Sequence, residues 1–232
     1  IGKRLNFNLP KILLKIGKKT LLERHYENLL NFGIKEIGLV IGYKSNYLVN
    51  FINKIDKDKK IKIFKNLKYK EGSIVSLVCA KSFFQKKGDL ILMDGDVLYD
   101  KKILKKLITS KKNNSLLLDK KIEPGEEPVK VCIKNNKVCD FGKIIDSNFD
   151  FQGESVGFFK FSKKTSIKLL KKSKQIMKKN KKAMYEDVIQ KMIKEKKLLM
   201  SFLDITKIPW LEIDFKKDLN FAKNKIIKKI NE

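Results

Sequence analysis

The sequence predicts an α/β fold, a mostly parallel sheet covered by helices on both faces, with a small inserted β-rich lobe. Three observations carry that prediction. Short apolar runs of β character alternate with longer amphipathic stretches along nearly the whole chain, the rhythm of a parallel sheet whose crossovers are helices. The 232 residues, 42% hydrophobic and 34% charged, suit one domain with a real core, or one domain carrying a smaller lobe, and exclude wholesale disorder. The rhythm breaks once, where two β-like runs flank Asn135-Asn136, a pair suited to a tight hairpin. The expectation is a single domain over 1–232, with the lobe at about 120–160.

The elements follow in order. The chain opens at Ile1 and runs at once into Gly2-Lys3-Arg4-Leu5, which reads as a loop. Parallel α/β domains start with a buried strand feeding their first phosphate loop, so that strand is expected upstream of Ile1. After Pro10-Lys11, a short apolar strand leads into a helix over 18–32. EIGLVIG at 36–42 and IKIF at 61–64 are β-branched runs that read as strands, with a helix at 44–55 between them. A helix at 73–85 precedes DLILMDG at 89–95, a buried strand stopped by an Asp-Gly turn. A helix at 101–110 is followed by SLLLD at 115–119. VKVCI at 129–133 and KVCDF at 137–141 form the hairpin, and ESVGFFKF at 154–161 is the strand that returns from it. Helices at 163–180 and 183–196 precede the strand LLMSFLDI at 198–205. A short strand around Glu212 and a helix at 215–230 close the series.

Composition removes several function classes. No apolar run approaches the ~18 residues a membrane helix needs, and the start lacks a signal-peptide hydrophobic region. Cys79, Cys132 and Cys139 have no metal-ligand spacing and make no disulfide framework, so they read as reduced thiols in a cytoplasmic protein. The net charge of +28 would suit a nucleic-acid binder. However, Arg4 and Arg24 are the only arginines, whereas nucleic-acid readers favour arginine for its planar, bidentate fork. The lysines are scattered through almost every segment among Asn and Ile, as a compositional habit would scatter them. That scatter argues against a dedicated nucleic-acid surface, while the excess still attracts anionic small substrates.

Three segments carry chemistry. In IGKRLNFNLPKILLKIGKKTLLE at 1–23, Gly2 lets backbone N–H groups approach phosphate oxygens, while Arg4 and Lys11 neutralise charge; the alternative is a plain lysine-rich end. In DLILMDGDVLYD at 89–100, Asp94 and Asp96 stand at a strand's carboxyl end, where open α/β sheets place ligands. Carboxylates there suit Mg²⁺, though an Asp-Gly turn leading to a helix cap would use the same letters. In PWLEIDFKKDL at 209–219, Glu212 and Asp214 share one face of a strand by its period of two. They offer the other half of a metal site, or Asp214 caps the last helix. His25, the lone histidine, falls within the 18–32 helix and packs or faces water, with no catalytic role expected.

Taken in order, G-x-R-L…P-K…L-L-E, then D-G-D at a strand end, then E-I-D followed by D-L resembles the sugar-nucleotidyltransferase superfamily. Within it the chain is most similar to phosphocholine and 2-aminoethylphosphonate cytidylyltransferases. YKEGSIVSL at 69–77, EPGEEPVKV at 123–131, GESVGFFKF at 153–161 and YEDVI at 185–189 support the likeness, which spans essentially the whole chain. The family's first strand and leading Ala-Gly are absent.

The resemblance implies a Rossmann-like fold and a Mg²⁺-dependent cytidylyltransferase joining CTP to a phosphonate or phosphate-monoester acceptor, with release of pyrophosphate. It implies that Arg4 and Lys11 hold the triphosphate and that Asp96 and Asp214 bind Mg²⁺. Gly2, Lys3, Gly72, Ser73 and Asp94 would border the nucleotide. Lys143, in DFGK at 140–143, would touch the acceptor phosphonate or the α-phosphate, or is one more surface lysine. Glu154, Tyr185, Glu186, Asp187 and Trp210 are acceptor-side candidates, because a choline or aminoethyl group favours carboxylates and aromatic faces. The competing jobs are helix-terminal acids for 185–187 and plain core for Trp210. A sugar-1-phosphate or inositol-1-phosphate nucleotidyltransferase is the neighbouring alternative, and a basic nucleic-acid-binding module is the alternative of another class. Oligomeric state is open, a homodimer among the options.

Overall fold

The computed structural model describes residues 8–122 and 128–230. In chain order, a 3₁₀ turn at Lys11–Leu13 leads to β1 (Lys15–Ile16), β2 (Lys19–Thr20), α1 (Leu21–Asn31), β3 (Ile37–Ile41), α2 (Ser45–Ile55) and β4 (Ile61–Lys65). Then come α3 (Ser73–Cys79), β5 (Leu90–Met93), β6 (Val97–Tyr99), α4 (Lys101–Ile108), β7 (Asn114–Asp119), β8 (Lys130–Lys134), β9 (Lys137–Gly142) and β10 (Phe151–Phe161). The chain continues through α5 (Lys163–Lys179), α6 (Tyr185–Lys194), β11 (Ser201–Asp204), β12 (Trp210–Glu212) and α7 (Lys216–Phe221). No helix among the described residues is long and apolar enough to cross a membrane.

The mixed α/β class stands, as does the alternation of strand and helix. The pairing differs from the expectation of a mostly parallel sheet. Among the described residues only β3–β4 and β11–β7 are parallel, and the other six ladders are antiparallel. The physical reason is β10. This strand runs Phe151–Phe161, pairs β8 through its first half and β5 through its second, and carries β7 as well, each time antiparallel. Alternation in sequence signals crossovers; it does not show that one long strand will gather three neighbours.

Two compact units result. One comprises Ile1–Leu67, Asp94–Lys105 and Ile208–Glu232. Its core is Leu14, Ile16, Leu21, Leu98, Leu211, Ile213, Ala222 and Ile226, with a second cluster of Leu13, Leu22, Ile41, Leu48 and Ile52. The predicted short strand after Pro10-Lys11 shrinks to the two-residue β1, behind a 3₁₀ turn at Lys11–Leu13, and the next helix starts at Leu21 rather than at 18. Thr20 and Glu23 explain that start: the Thr20 hydroxyl accepts from the Glu23 N–H at 3.2 Å, and the Glu23 carboxylate accepts from the Thr20 N–H at 2.7 Å. The final predicted helix is α-helical only to Phe221, then widens and retightens, held by the buried Ala222 and Ile226.

The other unit comprises Lys68–Met93 and Lys106–Lys207. Its sheet has the order β11-β7-β10-β8-β9, with β5 also on β10. The hairpin forms as read: Lys134 pairs Lys137, and Asn135 and Asn136 both take positive φ, +50° and +57°, which a type I′ turn requires. Phe141, Phe158, Phe159 and Phe161 are fully buried, with the Phe159 ring edge-on to Phe141 at 5.7 Å and to Tyr185 at 6.0 Å.

Candidate active site

The first unit gathers four residues that are far apart in sequence. Pro10 opens the 3₁₀ turn and its carbonyl accepts from the Leu13 N–H at 2.9 Å, which sets Lys11 on the turn's first position. Asp96 directly precedes β6. Because β12 pairs β6 with Glu212 opposite Val97, the strand end carries Ile213 alongside Asp96, and the Ile213 N–H donates to the Asp96 carbonyl at 3.0 Å. Ile213 is fully buried, so strand alternation turns Glu212 and Asp214 to the other face. Carboxylate oxygens of Asp96, Glu212 and Asp214 lie within 4.8 Å of one another.

Lys11 reaches into this group. Its ammonium donates to Asp96 at 3.1 Å and to Asp214, with 15% of the Lys11 side chain exposed. Burial opposes the Lys11 charge, but Asp96 and then Asp214 overcome it and hold the lysine above its ordinary pKa. Among the described residues, three carboxylates and one ammonium meet in this cluster. Such a set of hard oxygen donors fits a hard divalent cation.

The competing jobs for these acids go to other residues. The Asp218 carboxylate, not that of Asp214, serves the start of α7: it accepts from the Asp214 and Phe215 N–H groups at 3.0 and 2.7 Å. Asp100, not Asp94 or Asp96, accepts from Lys102 at 2.8 Å at the start of α4. His25 is buried in α1 against the Tyr99 ring, 5.3 Å between centroids. Burial pushes its pKa down to about 4, against a hydrogen bond to the Gly95 backbone and the Asp96 charge, so it is neutral at physiological pH. Trp210 is half-buried on β12 opposite Tyr99.

The second unit assembles a different cluster. The Gly72 N–H donates to the Lys181 carbonyl at 2.9 Å, and a Cβ at Gly72 would stand 2.0 Å from the Ala183 carbonyl oxygen. Only glycine fits that approach. It brings Ser73, the first residue of α3, against the start of α6. The Ser73 hydroxyl accepts from the Tyr185 N–H at 2.8 Å and donates to the Glu186 carboxylate at 3.3 Å. Burial raises the Glu186 pKa above the usual carboxylate range, with Asp187 adding to the rise; the hydrogen bond from Ser73 and the positive charge of Lys143 only partly offset it. Lys143 itself is exposed.

The remaining sequence candidates divide. The Asp187 carboxylate accepts from the Met184 N–H at 2.8 Å, closing the first turn of α6. Tyr185 is buried edge-on to Phe159, as core. Glu154 is buried in mid-sheet on β10, in register with Asp119 and Lys130. Asp94 is half-buried in the loop before β6. Gly2, Lys3 and Arg4 lie outside the described residues, as does most of the EPGEEP stretch. Sequence reasoning put Ser73 and Glu186 on different substrates. Nothing in the chain signals that residues 113 positions apart share a hydrogen bond.

Comparison with known proteins supplies the last observations. Residues 3–127 match the nucleotidyl transferase family. A CTP:phosphoglutamine cytidylyltransferase of Campylobacter jejuni is 29% identical over 167 residues, 66% of this chain; the chain spans 65% of that relative's length. The inositol-1-phosphate CTP transferase from T. maritima superposes with a TM-score of 0.79 at 20% identity, covering 100% of this chain and 94% of that one. The CTP:phosphocholine cytidylyltransferase from Streptococcus pneumoniae superposes with a TM-score of 0.71 at 18% identity, covering 96% and 93%. This chain belongs to the nucleotidyl transferase family.

Proposed function

We propose that this nucleotidyl transferase chain is a Mg²⁺-dependent cytidylyltransferase, joining CTP to a small phosphorylated or phosphonate acceptor that bears an ammonium group. The observation that carries the reading is the Lys11–Asp96–Glu212–Asp214 cluster, whose three carboxylates converge within 4.8 Å of one another, as the ligands of one divalent cation do. The phosphoglutamine and phosphocholine cytidylyltransferases among the relatives support CTP as donor. Glu186 supports the ammonium: a half-buried carboxylate beside a hydroxyl is stabilised by a cation brought to it.

In the reaction, an acceptor phosphate or phosphonate oxygen attacks the α-phosphorus of CTP. The bond from that phosphorus to the oxygen bridging the β-phosphate breaks, and pyrophosphate leaves with the electron pair. The acceptor needs no strong base, because the second pKa of a phosphate monoester is about 6 and the attacking oxygen is already an anion. A neutral His25, buried in α1, is accordingly not required. The difficulty is to bring two anions together and to stabilise charge on the transferred and leaving groups. Asp96, Asp214 and Glu212 would hold the Mg²⁺, which when bound supplies a Lewis acid at the phosphoryl oxygens. Lys11 supplies a preorganised positive charge for the triphosphate, its ammonium kept charged by the same acids. Lys143 offers a second cation for the acceptor phosphate, and Glu186 with Ser73 holds the acceptor's ammonium end.

The test is pyrophosphate release with Mg²⁺ and CTP against phosphocholine, 2-aminoethylphosphonate and phosphoglutamine, with glucose-1-phosphate and inositol-1-phosphate alongside. Release that requires an ammonium-bearing acceptor is the expected result. Turnover only with the sugar or inositol phosphates would overturn the acceptor class, and silence with every acceptor would overturn the activity.

A further inference from the structure

The strand end and loop carrying Lys143 are fastened to α6 by a network, centred on the buried Asp140, that the reaction itself does not use. Asp140, in β9, has no solvent exposure, and both its oxygens are engaged. Oδ1 accepts from the Phe141 N–H at 2.8 Å and from Gln190 Nε2 at 3.0 Å. Oδ2 accepts from the Ser147 hydroxyl at 2.9 Å and lies 3.4 Å from the Lys194 ammonium. Gln190 Nε2 also donates to the Ile144 carbonyl at 3.0 Å, and Lys194 donates to Asp146.

The contacts bracket Lys143 on both sides. Before it, Gly142 has φ of +146°, and a Cβ there would meet the Gln190 amide at 3.1 Å. After it, residues 144, 146 and 147 are each tied to the Asp140–Gln190–Lys194 group. Gln190 and Lys194 also stand four and eight residues after Glu186 on α6, so the three lie along one stripe of that helix. One helix stripe thus presents Glu186 and, one turn further on, grips the backbone either side of Lys143.

We propose that Asp140, Gln190 and Lys194 are positioning residues that set where Lys143 stands relative to Glu186, and through them the alignment of the acceptor. The proposal rests on the cytidylyltransferase reading. A lysine has four rotatable side-chain bonds, so it is useful as a fixed charge only where its backbone is held; a misplacement of about 1 Å can cost on the order of 10²-fold in rate. The network costs the burial of a carboxylate, which hydrogen bonds to every oxygen offset. Asp140 takes no part in bond making, and its effect passes entirely through Lys143.

The experiment has a structural arm and a kinetic arm on the full chain. Gln190→Ala, a change that suits a helix, is compared with Lys143→Ala, with the double variant, and with Asp140→Asn. Amide hydrogen exchange is measured first, because it needs no substrate. Gln190→Ala is expected to speed exchange across residues 142–147 while leaving the rest of β9 and α6 protected. Unchanged exchange there overturns the brace whatever the enzyme's activity. In the kinetic arm Gln190→Ala is expected to lower acceptor kcat/KM about 10- to 100-fold, and to cost nothing further in the Lys143→Ala background. Asp140→Asn keeps an acceptor for Phe141 and Gln190 and is expected to retain most activity. A Gln190→Ala loss that persists undiminished without Lys143 shows a merely structural role and overturns the positioning claim, as does the absence of any loss. No pyrophosphate release from the unaltered protein, with the exchange result intact, would instead fail the cytidylyltransferase reading and leave the brace standing as geometry.

Discussion

Where the first unit crowds three carboxylates around one ammonium, the second sets the half-buried carboxylate of Glu186 beside a serine hydroxyl. Both groups are acidic, yet their electrostatics run in opposite directions. In the first, Lys11 is held charged by its acidic neighbours, and those acids are partly exposed. In the second, burial works against the charged form of Glu186, and neither Ser73 nor Lys143 fully restores it. The difference teaches what each wants from a ligand. On the proposed reading, the first cluster would take a small, hard, doubly charged ion that exposed oxygen donors can share with water and phosphate. The second would take a monovalent cation on a larger body, because an organic ammonium gives up its water more cheaply than Mg²⁺ does.

The largest expected effect breaks the first cluster. Asp96→Ala and Asp214→Ala should each lower pyrophosphate release by on the order of 10³-fold, since each removes a donor from the group that orients and polarises the phosphates. Chelation of divalent ions should do the same to the unaltered protein, reversed by added Mg²⁺. Lys11 adds a check. Without Asp96 or Asp214 its ammonium loses a hydrogen bond from a mostly buried position, so both variants should also shift the melting temperature. If turnover survives either substitution within tenfold, the acids are a salt bridge and no more.

How far this comparison was visible in the chain depends on the range of the contacts. Asp96, Glu212 and Asp214 were legible because local pattern places them: an acid at a strand end, and two acids separated by one buried isoleucine. Their meeting needed only that β12 pair with β6. The hairpin was equally legible, since Asn135 and Asn136 tolerate the positive φ the turn demands. The antiparallel character of the large sheet was not, because it follows from one strand, β10, taking three neighbours, and strand alternation says nothing about that. Nor was the Ser73–Glu186 bond, which depends on Gly72 closing against 181–183. Residues 185–187 read as one acidic helix start. In the fold the three separate, with Tyr185 in the core, Glu186 beside Ser73 and Asp187 closing the helix turn.

The next effect sharpens the contrast by giving one substitution two signs. A carboxylate whose folded pKa is raised contributes its stability below its ordinary pKa, and that contribution is lost as pH rises through the folded value. Ionised Glu186 is therefore a liability to the fold at neutral pH. Glu186→Gln should melt at higher temperature than the unaltered protein at pH 7 to 8, with the gap closing towards pH 4. The same change should lower kcat/KM about 10- to 100-fold for ammonium-bearing acceptors, the size expected for a lost ion pair with the acceptor's ammonium. Thermal melts across pH, beside kinetics at pH 7.5, check both signs. A protein that loses stability and activity together would make Glu186 a structural acid.

The smallest effect concerns the acid beside each cluster. Asp218 lies four residues after Asp214 and closes the start of α7; Asp187 follows Glu186 and closes the start of α6. Each sits where the helix dipole and free N–H groups favour a negative charge. Asp218→Ala and Asp187→Ala should each cost about 1 kcal/mol of stability, the usual loss for a helix cap, measured by denaturant unfolding. Their effects on turnover should stay well below those at Asp214 and Glu186. Asp218 gives the sharper test, because it holds the backbone N–H of Asp214 itself at 3.0 Å. If its loss reduced activity as much as Asp214→Ala, the cap would be fixing the carboxylate's position, and the first cluster would depend on a brace of its own, as Lys143 does in the second.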